Sequence, residues 1–275
     1  MKQFLLSLLL LSCLGFPVLG QQKSPLPLID RRDLTLNPSF HSVTSPLLIE
    51  DSQDPLTKKV SAATFAVYTQ APPYLDLKTK ETVTPDFEFK CTAFIYTKMD
   101  EGYKLVTAGH CGSWSSRVKY AIAEDLDKDK MPVTLGKWVD DDNTNIDISV
   151  LEFKTDKFYP VLELDLFMTV LHVQDEVLSV HFGLGAVKSV VTGHIMSKIM
   201  TNPDDCGICR DNFESDVSVG GGSSGAALIS KKTGKVIGII VGIDEMSAIV
   251  EPAARFSIYS VTPQPTLPSI WLQKK

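Results

Sequence analysis

The stretch whose residue types could hold a nucleophile is Gly220-Gly221-Gly222-Ser223-Ser224-Gly225, set between Val219 and the apolar Ala226-Ala227-Leu228. Glycine permits positive φ and close approach of another chain. A turn of this composition can therefore present a serine hydroxyl outward while consecutive N–H groups converge on one point. Those are the requirements of an acyl-transfer nucleophile and its oxyanion hole. By itself a glycine-serine run is equally the composition of a flexible hairpin tip, so the partners of the serine decide between the two.

Two registers fit. Gly221 to Gly225 reads G-x-S-x-G, with Ser223 reactive, and Gly222 to Gly225 reads G-x-S-G, with Ser224 reactive. The first is the elbow of α/β-hydrolases, whose histidine follows the serine along the chain. All five histidines here, His41, His110, His172, His181 and His194, precede it. The order His…Asp…Ser, with Ser224 last, is the one that survives.

His110 ends the run Lys104-Leu105-Val106-Thr107-Ala108-Gly109-His110-Cys111. An apolar strand terminating in a histidine is a rigid mount for a general base that titrates near neutral pH. Cys91 starts the preceding strand, and a bridge from it to Cys111 would fix the histidine. Asp147 lies within Asn145-Ile146-Asp147-Ile148-Ser149-Val150-Leu151, a carboxylate in a strand-like apolar run. Such a carboxylate needs a partner when buried, and the N–H of a catalytic imidazole supplies one. The neighbouring Asp140-Asp141-Asp142 reads as a solvated turn.

With 275 residues and 44% hydrophobic composition the chain can bury a sizeable core as one or two units. A net charge of −6 argues against nucleic acid or an anionic membrane as the main partner. Met1-Lys2-Gln3 and the apolar run that follows have the pattern of a secretory signal, with Val18-Leu19-Gly20 offering cleavage before Gln21. This predicts a signal peptide at 1–20, a secreted or periplasmic protein, and no membrane span after signal removal, since the apolar run is short and contains Pro17. Lipoprotein anchoring at Cys13 is a weaker match. Residues 21–59, rich in proline, serine and leucine, read as a pro-segment or extended arm. Short β-type runs follow at 60–69, 87–96, 104–107, 118–122 and 148–153, then at 176–181, 189–198, 226–230, 236–243 and 256–261. Only Ile270-Trp271-Leu272 suggests a small helix. Many short strands and few helical stretches predict an all-β protein.

Together these residues carry a resemblance. Thr107-Ala108-Gly109-His110-Cys111 resembles the T-A-A-H-C of trypsin-like serine proteases, Asp147-Ile148-Ser149-Val150-Leu151 their D-I-A-L-L, and Gly222-Ser223-Ser224-Gly225 their G-D-S-G. The second half is similar to the HtrA/Deg branch at His181-Phe182-Gly183-Leu184-Gly185, at Thr192-Gly193-His194-Ile195-Met196-Ser197 and from Asp216 to Leu228. The resemblance covers about 60–263. It implies two six-stranded antiparallel Greek-key barrels, the chymotrypsin-like double barrel, with the active site in the cleft between them. The first barrel would span about 60–158, the second about 159–265, and a tail 266–275. It further implies a serine endopeptidase in which Ser224 attacks, His110 takes its proton and Asp147 orients the imidazole. The N–H groups of Gly222 and Ser224 would form the oxyanion hole. Val241-Gly242-Ile243 would pair with an extended polypeptide substrate, and Ser218 would lie at the base of the specificity pocket. With no carboxylate at Ser218 and a bulky Ile243 at the entrance, small or medium apolar residues are expected before the scissile bond. No cofactor or metal is implied.

The chain also departs from these families. Trypsin-type zymogens use an aspartate before the nucleophile to bind a newly cut N-terminus; that position is Ser223, and no I-V-G-G start is visible, so activation by insertion is not expected. No HtrA-type peptide-binding domain is expected either. Cys206-Gly207-Ile208-Cys209 reads as a local disulfide, because no βαβ pattern surrounds it as in redox C-x-x-C proteins. Asp125-Leu126-Asp127-Lys128-Asp129 begins like a calcium loop but lacks its later glycine and glutamate. His172, His181 and His194 show no ligand spacing and read as structural histidines. The rival reading is a protein of the same fold that binds or regulates without turnover. The sequence sets no oligomeric state.

Overall fold

Asp54 and Pro55 open the first element of the computed structural model, the helix α1 (Pro55–Ala62). The Asp54 carboxylate accepts from the N–H groups of Leu56 and Thr57, and proline occupies the first turn, where its missing N–H costs nothing. This start signal falls inside the stretch read as an arm, and Val60 belongs to the helix rather than to the first strand. The structure describes residues 54–112, 117–141, 146–166, 171–185, 187–197, 212–244 and 247–255. The proposed signal segment, Cys13, most of the arm, Cys206, Cys209, the run at 256–261 and the tail lie outside the described residues. Among the described residues no helix is long and apolar enough to cross a membrane.

The first half contributes β1 (Thr64–Gln70), β2 (Tyr74–Leu75), β3 (Thr82–Val83), β4 (Glu88–Met99), β5 (Gly102–Thr107), β6 (Lys119–Ala123), β7 (Met131–Asp141) and β8 (Ile146–Lys154). β2 and β3 form a separate hairpin, and the rest close into a barrel in the order β1-β4-β5-β8-β7-β6 with antiparallel neighbours. At Asp140 and Asp141 the acidic run expected as a turn is the end of β7, paired with Asp147 and Ile146.

The second half contributes β9 (Glu176–His181), β10 (Ser189–His194), β11 (Phe213–Ser215), β12 (Ala227–Ser230), β13 (Val236–Asp244) and β14 (Ser247–Pro252). Their order is β10-β9-β12-β13-β14-β11, again antiparallel. The two edges meet through a bridge between Ile195 and Ser215, flanked by bonds from Met196 N–H to the Glu214 carbonyl (2.8 Å) and from Asp216 N–H to the His194 carbonyl (3.2 Å). Counted within each half, the barrel strands follow the same cyclic order, first-second-third-sixth-fifth-fourth. The all-β double barrel implied by the resemblance is thus present, its second half joined edge to edge by a short bridge.

Several strands of the second half are buried on both faces, which explains their unbroken apolar runs. On β12 the side chain of Leu228 packs with Val177, Phe213 and Val250, while Ala227 and Ile229 pack with the first barrel's core around Phe65, Phe94 and Leu151. Phe65, Phe94, Phe182 and Phe213 are fully buried, and each such side chain contributes about 2–3 kcal/mol. One shared core therefore fixes the loops at the barrel ends against each other.

Candidate active site

β5 ends at Thr107, and Ala108 leads into a single 3₁₀ turn, Gly109–Cys111. A disulfide joins Cys91 on β4 to Cys111, with Cα atoms 6.2 Å apart. A loop of this size closed by a disulfide is worth about 3 kcal/mol, and the bridge anchors the turn that carries His110. β8 runs beside β5, pairing Ser149 with Thr107, so Asp147 arrives at the same height. One carboxylate oxygen accepts from the His110 N–H at 2.6 Å and the other lies 2.7 Å from Nδ1. A carboxylate can only accept, so Nδ1 carries the hydrogen and Nε2 of the neutral ring keeps its lone pair. The imidazole is 43% exposed and the carboxylate 23%, an accessible base in front of a shielded orienting group. The two sulfurs and the His110 ring lie within 4.8 Å of one another. Joined as a disulfide, the sulfurs offer a metal no thiolate.

A second carboxylate stands behind Asp147. Glu251 on β14 is fully buried, and its Oε2 accepts from the Asp147 N–H at 2.9 Å. Its other oxygen meets no hydrogen-bond donor among the described residues and faces the Arg255 guanidinium at 3.9 Å. Burial pushes this carboxyl up to about 7, and the Asp147 charge adds to that; the Asp147 N–H and Arg255 pull the other way. Between 4.5 and about 7 the folded protein holds a proton that the unfolded chain has lost. The stability this gives is fully present below the lower value and is lost as pH rises through the upper one. Glu251→Gln keeps an acceptor for the Asp147 N–H but cannot ionise. From about pH 5 to about pH 8, denaturant titrations should show wild type losing roughly 2–3 kcal/mol relative to the variant. Parallel stability curves would contradict this account of Glu251.

The serine loop lies between β11 and β12. Gly222 and Gly225 have φ of +97° and +87°. A Cβ at Gly222 would strike the Phe89 ring and the Phe182 carbonyl; at Gly225 it would strike the Thr92 carbonyl, the Thr107 hydroxyl and the Ala108 nitrogen. The chain next to Ser224 is thus pressed against the strand end that leads two residues later to His110. Thr92, fully buried on the first barrel and next to Cys91, binds both sides of this loop. Its N–H donates to the Ser224 carbonyl (2.9 Å), and its hydroxyl donates to the Gly222 carbonyl (2.8 Å) and accepts from the Phe182 N–H (3.1 Å).

The carbonyls of Gly220, Gly221 and Ser223 accept from the N–H groups of Ser223, Leu184 and Ala226. Every carbonyl from Gly220 to Ser224 is therefore occupied. The N–H groups of Gly221, Gly222 and Ser224 have no hydrogen-bond acceptor among the described residues. A loop with its oxygens tied down and its N–H groups free can receive a developing negative charge.

Ser223, the alternative nucleophile, is buried against His181 and accepts from the Gly220 N–H, so its hydroxyl does not face solvent. Ser218 is exposed, and its carbonyl is taken by the His181 ring at 3.0 Å. The ladder between β12 and β13 stops at Ile239 and Ile240, and Val241 is the extra residue of a bulge against β14. Val241, Gly242 and Ile243 are left without a strand partner on the β12 side among the described residues, and Ile243 is half exposed. His194 and Asp216 form a second histidine–aspartate pair, its ring 3.4 Å from the carboxylate, in the second barrel. Asp216 opens the segment that leads to the serines, but among the described residues no hydrogen bond of Gly220 to Gly225 reaches this pair. Thr92 and Glu251 were not among the residues expected at the site. Glu251 was open to the same reasoning as Asp147, being a lone acid in the apolar run Ala248-Ile249-Val250.

A family model for the trypsin-like peptidase domain matches residues 91–239, over half of the chain. No curated protein matches by sequence. Among solved structures the chain is similar to the active form of the Rv3671c protease from M. tuberculosis, with a TM-score of 0.55 and 16% identity, covering 78% of this chain and 86% of that one. It is also similar to the HtrA-type protease AlgW, solved with a decapeptide, with a TM-score of 0.58 and 16% identity, covering 75% of this chain and 65% of that one. At such identities the likeness lies in the fold. The chain belongs to the family of trypsin-like peptidase domains.

Proposed function

We propose that this protein is an exported serine endopeptidase that cleaves polypeptides through an acyl-enzyme formed on Ser224. The observation that carries the reading is the His110–Asp147 pair, with both carboxylate oxygens engaged, next to a loop in which the N–H groups of Gly221, Gly222 and Ser224 meet no acceptor among the described residues. In this mechanism His110 Nε2 takes the Ser224 proton as Oγ attacks the carbonyl carbon. Asp147 holds the ring and balances the imidazolium, and the N–H groups of Gly222 and Ser224 receive the oxyanion. The imidazolium then returns the proton to the leaving amine, and water repeats the sequence on the ester. Each oxyanion donor is worth about 3 kcal/mol in the transition state.

Substrate would lie as an added strand along Val241, Gly242 and Ile243, whose open edge supports this placement. A polypeptide substrate is also supported by the decapeptide held in the HtrA-type neighbour. Export rests on the signal pattern at 1–20. The uncharged Ser218 and bulky Ile243 favour small or medium apolar residues before the scissile bond. A peptide library digested with the full chain, and with residues 1–53 removed, is expected to give cuts after residues such as Ala, Val or Leu. Cuts confined to Arg or Lys would overturn the pocket assignment, and no cuts in either form would favour the binding protein.

A further inference from the structure

Ser223 and His181 form a buried pair that this mechanism does not use; their exposures are 1% and 4%. His181 closes β9, and its Nε2 lies 3.0 Å from the Ser218 carbonyl. A carbonyl only accepts, so Nε2 carries the hydrogen. Nδ1 then accepts from the Gly183 N–H at 3.0 Å. The Ser223 oxygen accepts from the Gly220 N–H at 3.0 Å, which leaves its own hydrogen for Nδ1, 3.2 Å away. All four contacts are satisfied only by the neutral ring protonated at Nε2.

We propose that His181 is a positioning residue that holds the oxyanion loop in shape through Ser223, and that it does so only while neutral, so that acid stops turnover through His181 as well as through His110. The proposal rests on the assignment of the oxyanion hole to Gly222 and Ser224. Ser223 lies between Gly222 and Ser224, so fixing its side chain orients the following peptide, which carries the Ser224 N–H, and anchors the preceding one, which ties it to Gly222. A proton added at Nδ1 would point at the Gly183 N–H, which can only donate, and would reverse the hydrogen bond to the Ser223 hydroxyl, so the Gly183 turn and the serine loop would have to shift.

Among the described residues, the groups in contact with His181 or paired with it are uncharged: Gly183 on its own turn, Ser218 and Ser223 from the serine loop, and Ser189 opposite it on β10. Lys188, beside Ser189, lies over the Phe182 ring and donates to the Ser61 carbonyl. Asp216, two residues before Ser218, accepts from the His194 N–H. Burial holds the His181 ring below the usual histidine value, with the Ser218 carbonyl partly offsetting it. The transition therefore falls on the acid side of neutrality.

The test measures kcat and KM against pH for the full chain on a peptide substrate, in wild type, His181→Asn and Ser223→Ala. Asparagine can place a carboxamide oxygen where Nδ1 accepts, and it does not titrate. The acid limb of log kcat/KM is expected to reach a slope of about two in wild type and about one in His181→Asn, as two protonations become one. Ser223→Ala should lose about tenfold or more in kcat with KM within about twofold, because the substrate strand is untouched. An acid limb unchanged by His181→Asn, or a Ser223→Ala kcat equal to wild type, overturns the proposal. Ring nitrogen NMR of the wild-type protein at neutral pH covers the case of a variant that does not fold. It should give the Nε2–H tautomer, and Nδ1–H or imidazolium overturns the proposal. Loss of turnover on Ser224→Ala, measured alongside, checks the parent mechanism separately.

Discussion

Replacing Ser224 by alanine is expected to lower kcat for peptide hydrolysis by about 10⁵-fold or more while KM stays within a few-fold. The methyl group cannot attack, yet it leaves the His110–Asp147 pair and the free N–H groups where they are. Substrate should still bind, and a residual rate above that in water should remain. Ser223 cannot take over, because its hydroxyl is buried and committed to Gly220 and His181. Steady-state kinetics on a peptide cleaved by wild type decide the matter. A Ser224→Ala enzyme that keeps about a tenth of the activity would mean that another group is the nucleophile.

Asp147→Asn is expected to cost about 10⁴-fold in kcat, for a reason that the geometry makes specific. Both oxygens of Asp147 accept hydrogen bonds, one from the His110 main chain at 2.6 Å and one from its ring at 2.7 Å. An asparagine has one oxygen to offer. If it serves the main-chain N–H, its NH₂ group faces Nδ1 and forces the hydrogen onto Nε2, where the ring can no longer accept the serine proton. Raising the pH should restore little, because the defect is a tautomer and not a charge state. An Asp147→Asn enzyme within about tenfold of wild type would place the orienting group elsewhere.

What could be read from the chain, and what could not, follows from how far each signal travels. The strand end before His110, the strand that carries Asp147 and the tight turn around Ser224 were legible because the local letters of each motif report them. The meeting of His110 and Asp147, 37 residues apart, needed only the adjacency of β5 and β8 that the double barrel supplies. β7 was hidden because Pro132 and Gly136 break its apolar pattern, although from Met131 to Lys137 its side chains alternate between half-buried and exposed. Helix α1 was missed despite the Asp54-Pro55 start, because eight residues are too few to show a period. Thr92 left no local trace: its role comes from two carbonyls about 130 residues away that reach it only when the barrels pack. His181 was read as a satisfied structural histidine. It is satisfied, but the identity of its partners, and hence its link to Ser223, comes only from the fold.

The central claim is that the hydroxyl at position 224, and not its neighbour, is the group made reactive by His110. Incubation of the folded full chain with a fluorophosphonate, followed by tandem mass spectrometry of the loop peptide, tests this directly. The account predicts a single adduct on Ser224 that disappears on heat denaturation and in Ser224→Ala. An adduct on Ser223, or a folded and peptide-binding protein that takes up no label, would contradict it.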